Sequence, residues 1–208
     1  MKKIIELFVF INPLDSISYN MEKIATAFAK EREEKVELRF VPILNFHTIS
    51  HYLSTQEIKG ADLQLKNDLY LKAYEMSLAF EAAAMQGKKA GRDYLMALQE
   101  AILIQKLPMT KGLISQIAED CGLDLELFEE DLHSEFSKED FQADQQLARK
   151  MGVTNTPGIV IYNDRQDSYG CLIESHFSKQ LLHGICNMDI TDTHTIQEIQ
   201  QKYNLQFI

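Results

Sequence analysis

The stretch 152–161 limits the possible folds of this chain more than any other part of it. A helix-like segment, 142–151, runs into a glycine, and a Thr-Pro pair follows at Thr156-Pro157. Directly after the proline come a glycine and three β-branched residues, Ile-Val-Ile. The stretch therefore contains, in this order, a helix that ends at glycine, a short loop, an X-Pro bond and an apolar run. This order predicts a tight entry into a buried strand.

The N-terminal part of the chain predicts a βαβ unit. Residues 4–11 are apolar except for Glu6 and rich in β-formers, which is typical of a strand buried on both faces. The Asn-Pro pair at 12–13 ends this strand, and apolar residues at helical spacing across 17–28 predict a one-sided helix behind it. Apolar and charged residues then alternate across 36–40, which predicts a second strand.

A helical segment and a second pair of strands follow. Between residues 45 and 150 the apolar residues recur at helical spacing without a strand pattern, so we expect helices only. The segments 158–162 and 169–173 predict two short antiparallel strands joined by a polar turn. Ser178 is a suitable N-cap for a further helix, and 191–208 are expected to form a final helix or tail.

The composition excludes several classes of partner. The 208 residues include 31 acidic and 21 basic side chains, a net charge of −10, so we expect neither nucleic acid nor an anionic membrane surface as a partner. No apolar run approaches the ~20 residues of a membrane span. The first residues lack a signal-peptide pattern, and the three cysteines form no Cys-x-x-Cys pair. Together these features predict a reducing, cytoplasmic compartment.

The proline loop carries a family resemblance. Its sequence Gly-Val-Thr-x-Thr-Pro, followed by an apolar strand, resembles the loop of DsbA-like proteins, a branch of the thioredoxin fold. This implies an α/β thioredoxin fold, βαβ…ββα, with a large all-helical insertion, and a cis bond at Thr156-Pro157 that faces the start of the first helix. The implied division is a discontinuous thioredoxin-like domain at 1–44 and 151–190, a helical insertion at 45–150, and a C-terminal helix or tail at 191–208.

The start of the first helix lacks the thiols of that family. In DsbA-like proteins the stretch reads roughly Phe-x-Asp-Pro-x-Cys-x-x-Cys, and laid on 10–18 the cysteine positions fall on Asp15 and Ser18. Backbone amides and the helix dipole stabilise a thiolate there, and a carboxylate uses the same groups. The altered motif, Asp15, Ser16, Ile17 and Ser18, is therefore expected to cap the helix, and no catalytic residue is expected.

The opening Phe-Ile-Asn-Pro-Leu at 10–14 resembles a narrower group, the cytoplasmic YjbH/SpxH-type adaptor proteins of Gram-positive bacteria. These proteins present the transcription regulator Spx to the ClpXP protease, which requires no redox couple. The resemblance implies a redox-inactive adaptor in the stress response, with an Spx-type regulator and ClpXP as partners. A groove at Tyr19, Thr156 and Pro157 is expected to contact a partner or ligand.

Two enzyme alternatives remain open at this point. Ser16 suits a kappa-type glutathione transferase or the related isomerase, although the pattern of that family places Asp15 at the working serine, where a carboxylate would repel a thiolate. A DsbA-like dithiol-disulfide oxidoreductase of divergent activity is the other alternative. Neither a cofactor nor a metal is expected, because His47 and His51 have no close set of further ligands in the sequence.

Overall fold

The computed structural model describes residues 4–163, 170–174, 176–187 and 205–208. The described strands form one sheet in the order β2-β1-β3-β4-β5: β1 (Ile4–Ile11), β2 (Lys35–Pro42), β3 (Gly158–Asn163), β4 (Cys171–Ile173) and β5 (Gln206–Phe207). The described helices are α1 (Ser16–Glu31), α2 (Phe46–Thr55), α3 (Leu63–Met85), α4 (Lys88–Gln99), a π-helix (Glu100–Ile104), α5 (Lys111–Asp120), α6 (Leu125–Leu132), α7 (Glu135–Lys150) and α8 (Lys179–Asn187).

Strand β1 lies at the centre of the sheet, as its apolar sequence predicts. Leu7 and Val9 are fully buried in the core that α1 and α8 cover, and Phe10 is fully buried in the core on the α7 side. β1 pairs in parallel with β2 and antiparallel with β3, which in turn pairs antiparallel with β4. The predicted thioredoxin fold, βαβ…ββα, is confirmed by this topology.

The segment 46–150 consists of helices and loops without a strand, as predicted. Its apolar side chains form a core of their own, in which Tyr94 and Phe128 are fully buried. Leu14 and Leu44, which follow the ends of β1 and β2, belong to the same core. The helices therefore cover the end of the sheet at which these two strands finish. The boundaries of a separate insertion domain stay a prediction.

Two elements differ from the sequence predictions. The segment 191–208 is predicted to form a helix or tail; 191–204 lie outside the described residues, but Gln206–Phe207 form an edge strand antiparallel to β4. A strand this short has no recognisable periodicity, and it forms because the open edge of β4 offers unpaired backbone groups. The π-helix continues α4 directly, and no local sequence signal predicts such a segment.

Candidate functional site

The altered motif and the proline loop lie at the same end of the sheet. Phe10, near the end of β1, pairs with Gly158, the first residue of β3. The loop that enters β3 therefore adjoins the loop that leads from β1 into α1. In the first of these loops the Thr156-Pro157 peptide bond is cis. The topology thus brings together the two parts of the sequence that were predicted to meet.

Asp15 is the N-cap of α1 and is 3% exposed. Its Oδ1 accepts a hydrogen bond from the backbone N–H of Ile17, and its Oδ2 accepts from the backbone N–H of Ser18, both at 3.1 Å. Free amides at the start of a helix are the groups that stabilise a bound anion or a thiolate. Asp15 already occupies two of these amides, so the helix start is satisfied by the chain itself.

Ser18 completes the hydrogen bonding of the turn before α1. Its hydroxyl donates to Oδ2 of Asp15 at 3.1 Å and accepts from the backbone N–H of Asn12 at 3.2 Å. A hydroxyl beside a carboxylate has the elements of a nucleophile and its base, but Ser18 is fully buried and no substrate reaches it. Ser16 and Ile17 are half-buried. We call Asp15 and Ser18, with their mutual bond, the closed turn.

The three residues expected to line a partner groove are buried. Tyr19 and Thr156 are 5% and 3% exposed, and Pro157 is buried as well. The Tyr19 hydroxyl donates to Oε2 of Glu100 at 2.6 Å, and Nζ of Lys23 lies 4.4 Å from the centre of its ring. Burial, with the hydrogen bond to Glu100 and its charge, raises the pKa of Tyr19 well above the usual range. A direct contact between these residues and a partner stays a prediction.

A buried acid beside the motif was not predicted from the sequence. Glu22 on α1 is fully buried; its Oε1 accepts from Nε2 of Gln99 at 2.9 Å, and its Oε2 has no partner among the described residues. The same Nε2 lies 3.4 Å from the carbonyl oxygen of Pro13. Burial raises the pKa of Glu22 to about 8. The hydrogen bond from Gln99 lowers this pKa in part, and the negative charge of Asp15 raises it further. The sequence contains one signal for this burial. Glu22 follows Ser18 by four residues, so the two side chains lie on the same face of α1, which is buried.

The cysteines lie away from the motif. Cys171 and Cys186 are fully buried, and Cys121 is half-buried; all three are free. Burial raises the pKa of Cys171 to about 12 and that of Cys186 to about 11. Thiols in this state carry almost no thiolate at neutral pH and are poor nucleophiles. Cys171 and Cys186 therefore pack as small core residues.

Exposed apolar side chains on α2 and α3 form a shallow depression. Phe46 and Leu63 are 68% and 69% exposed. Burial, followed by the negative charge of Asp15, raises the pKa of Tyr52 on α2. The depression, which we call the α2–α3 groove, has a volume of about 280 Å³ and is lined by Phe46, Ile49, Leu63, Lys66, Asn67 and Tyr70. Neighbouring exposed apolar groups are typical of interaction surfaces.

A family model described as thioredoxin matches residues 8–183 of the chain. The match runs from the central strand through the closed turn, the helical segment and the cis-proline loop to α8. The chain belongs to this thioredoxin family. The proline loop and the closed turn both lie within the matched residues, and the assignment of Asp15 and Ser18 to the cysteine positions of the DsbA-like pattern stays a prediction.

Curated relatives of this thioredoxin-family chain include ClpXP adapter proteins. It is 28% identical over 193 residues to the ClpXP adapter protein SpxH of Bacillus subtilis strain 168. This match covers 85% of this chain and 64% of that protein. The ClpXP adapter protein SpxH of Shouchella clausii strain KSM-K16 is 29% identical over 191 residues, with the same coverage of 85% and 64%. The chain therefore spans slightly less than two thirds of the length of these relatives.

A solved structure supports the fold assignment. The crystal structure of the oxidoreductase DsbA from Xylella fastidiosa matches with a TM-score of 0.59 at 14% identity, covering 88% of this chain and 84% of that one. The prediction of a DsbA-like thioredoxin-family member that resembles the SpxH-type adaptors is confirmed.

None of the described helices is long and apolar enough to cross a lipid bilayer. The described residues also contain no group of three or more His, Cys, Asp and Glu side chains that could hold a metal ion.

Proposed function

We propose that this chain is an adaptor that presents an Spx-type transcription regulator to the ClpXP protease in the cytoplasm, as part of a stress response. The SpxH relatives are ClpXP adapter proteins, and the similarity extends over 85% of the chain. The closed turn is the observation that carries the proposal. In this turn a carboxylate and a buried hydroxyl bind each other and the helix amides at the motif positions, and the motif contains no thiol.

The α2–α3 groove is the surface that we assign to the regulator. An adaptor acts by raising the local concentration of a substrate at the protease, so it needs a binding surface and not a reactive group. Phe46 and Leu63 expose most of their side chains in the unbound protein. Burying an apolar side chain of this size contributes about 1.5–3 kcal/mol, which makes the two residues suitable anchors for a partner.

Reconstituted proteolysis tests the proposal. In this assay, purified ClpXP is incubated with an Spx-type regulator in the presence and in the absence of this protein. The loss of the regulator is followed on gels. We expect the protein to accelerate degradation and to bind the regulator in a titration. An unchanged degradation rate together with no detectable binding would rule out the adaptor function.

Two exposed phenylalanines allow a matched control for the groove. Phe46, 68% exposed, lies in the α2–α3 groove, whereas Phe136, 67% exposed, lies on α7 and outside the groove. We expect Phe46→Glu to weaken regulator binding by about tenfold or more, since it removes one apolar anchor and adds a charge. Phe136→Glu should leave binding unchanged. Equal losses in the two variants would show that the groove is not the binding surface.

The enzyme alternatives have less support from the site. A glutathione thiolate would need the amides of Ile17 and Ser18, and the carboxylate of Asp15 already accepts from both. A dithiol oxidoreductase would need a low-pKa thiol, whereas burial raises the pKa of Cys171 and of Cys186. We therefore expect only background activity in insulin reduction and in glutathione conjugation assays.

A further inference from the structure

Lys66 gives the α2–α3 groove a positive charge. It is the charged residue among the described residues that line the groove, and it is half-buried. Its Nζ lies 5.0 Å from the centre of the Phe46 ring, and it forms no ion pair with any residue that the structure describes. A cation beside apolar side chains is less well screened by water than one in free solvent, so it attracts an anion more strongly. The groove therefore combines apolar walls with one unpaired cation.

A second, more polar depression meets the groove at Lys66. Its volume is about 850 Å³, and Lys66 lines both depressions. Ser50, Ser54 and Lys59 also line it, and Glu57 is the acid among its described lining residues. Lysines thus outnumber acids here, whereas the whole chain has 31 acidic against 21 basic side chains. The surface around Lys66 is therefore suited to an anionic group.

The spacing of the lining residues matches a third helix. Leu63, Lys66 and Tyr70 stand at i, i+3 and i+7 of α3, so they lie on one face of it. Phe46 and Ile49 stand at i and i+3 of α2. Ile49 is buried and forms the floor of the groove, whereas Phe46 and Leu63 are 68% and 69% exposed and form its walls. A channel between two helices with apolar groups at helical spacing accepts the apolar face of an amphipathic helix.

We propose that the α2–α3 groove binds an acidic amphipathic helix of the regulator. The apolar stripe of this helix packs against Phe46, Leu63 and Tyr70, and a carboxylate at the edge of the stripe pairs with Lys66. Polar residues of the helix beyond that carboxylate lie over the second depression, near Lys59. The identity of the partner rests on the proposed adaptor function, whereas the acidic and apolar character of the helix follows from the lining of the groove.

Fluorescence anisotropy with a labelled peptide tests the groove without the regulator. The peptide is an alanine-rich helix with three leucines at i, i+4 and i+7 and one glutamate beside them, and a matched peptide has glutamine in place of the glutamate. We expect saturable binding of the glutamate peptide and about fivefold weaker binding of the glutamine peptide. The variant Lys66→Gln should bind the two peptides equally, because the difference comes from the pair with Lys66.

Charge reversal on α3 tests the same contact with the regulator. Lys66→Glu should weaken the binding of an Spx-type regulator by about tenfold, since it removes an attraction and adds a repulsion. Lys72→Glu is the matched control, because Lys72 is also half-buried on α3 but does not line the groove. It should leave regulator binding unchanged. Circular dichroism checks that both variants are folded.

The two experiments separate the groove from the adaptor function. Equal losses of regulator binding in Lys66→Glu and Lys72→Glu, or equal binding of the two peptides to the unaltered protein, would overturn the acidic helix and leave the adaptor function in place. Binding of the glutamate peptide that depends on Lys66, without any binding of the regulator, would support the acidic helix and rule out the regulator as its source. Absence of binding by both peptides, or dimerisation of the chain that Phe46→Glu abolishes in sedimentation, would overturn the proposal, the latter in favour of a second copy of this chain.

Discussion

Asp15 and Ser18 satisfy the start of α1 with their side chains. The start of α1 offers backbone N–H groups and the positive end of the helix dipole, and both favour a negative charge. Asp15 supplies that charge and accepts from two amides, so the electrostatic demand that a thiolate meets elsewhere is met here by a carboxylate. The consequence at this scale is a helix start whose first amides are bound by a side chain of the same turn.

Glu22 makes a prediction about the pH dependence of stability. Its pKa is about 8 in the folded protein, against the ordinary 4.5, because the side chain is buried. Between these values the folded state holds a proton that the unfolded state has lost. The free energy of unfolding should therefore fall as the pH rises through this window, by up to about 1.4 kcal/mol per pH unit, and level off above it. Urea denaturation across the pH range measures this slope.

The substitution Glu22→Gln isolates that contribution. We expect the variant to lose most of the decline in stability between pH 5 and 8 that Glu22 causes, and to exceed the unaltered protein above pH 8. Glu37→Gln is the control: Glu37 is half exposed, and the hydrogen bond from Lys35 lowers its pKa, so its removal should leave the slope in this window in place. The same flattening in both variants would contradict the assignment to Glu22.

At the scale of elements, the contact between α3 and α4 depends on one glycine. A Cβ atom added at Gly91 would lie 2.7 Å from Cβ and 2.8 Å from Cα of Ala84, closer than packed atoms tolerate. The two helices must therefore move apart in Gly91→Ala. We expect the free energy of unfolding, measured by urea denaturation, to decrease by about 1–3 kcal/mol.

Gly112 on α5 provides a matched control for Gly91. A Cβ atom there meets only Thr110 Oγ1, at 3.9 Å, and the residue also lies in a helix. Alanine favours the helical backbone over glycine, so Gly112→Ala should raise stability by up to about 1 kcal/mol. Opposite signs for the two variants are the expected result. Equal and small effects would mean that the α3–α4 contact can relax without cost.

At the scale of the whole molecule, Gln145 joins the helical segment to the sheet. From α7, its Nε2 donates to the carbonyl oxygen of Pro42 at 2.7 Å, and its Oε1 accepts from the backbone N–H of Leu44 at 3.0 Å. Gln145→Ala leaves both backbone groups, which are buried, without these partners. We expect a loss of about 1–3 kcal/mol in urea denaturation. Gln146→Ala, at the exposed neighbour, should change stability by no more than about 0.5 kcal/mol.

The sequence alone was sufficient for the features that depend on neighbouring residues. The apolar run at 4–11 predicts the central strand, and Asp15 with its following amides predicts the helix cap, because strand periodicity and capping act over a few residues. The proline loop identified the fold because its pattern is local as well. The altered motif could be located for the same reason.

Tertiary structure alone decided which of these residues are accessible and which acids are paired. The hydroxyl of the buried Tyr19 donates to Glu100, 81 positions later, and Glu22 accepts from Gln99 across 77 positions. The depression lined by Phe40, Phe80 and Met85 likewise depends on packing between β2 and three helices. Contacts over such separations follow from how whole elements pack, and a local pattern of polar and apolar residues contains no information about the partner. The sequence therefore determined the scaffold and the absence of a Cys-x-x-Cys pair, whereas the burial of Tyr19 and of Glu22 depends on how the helices pack against the sheet.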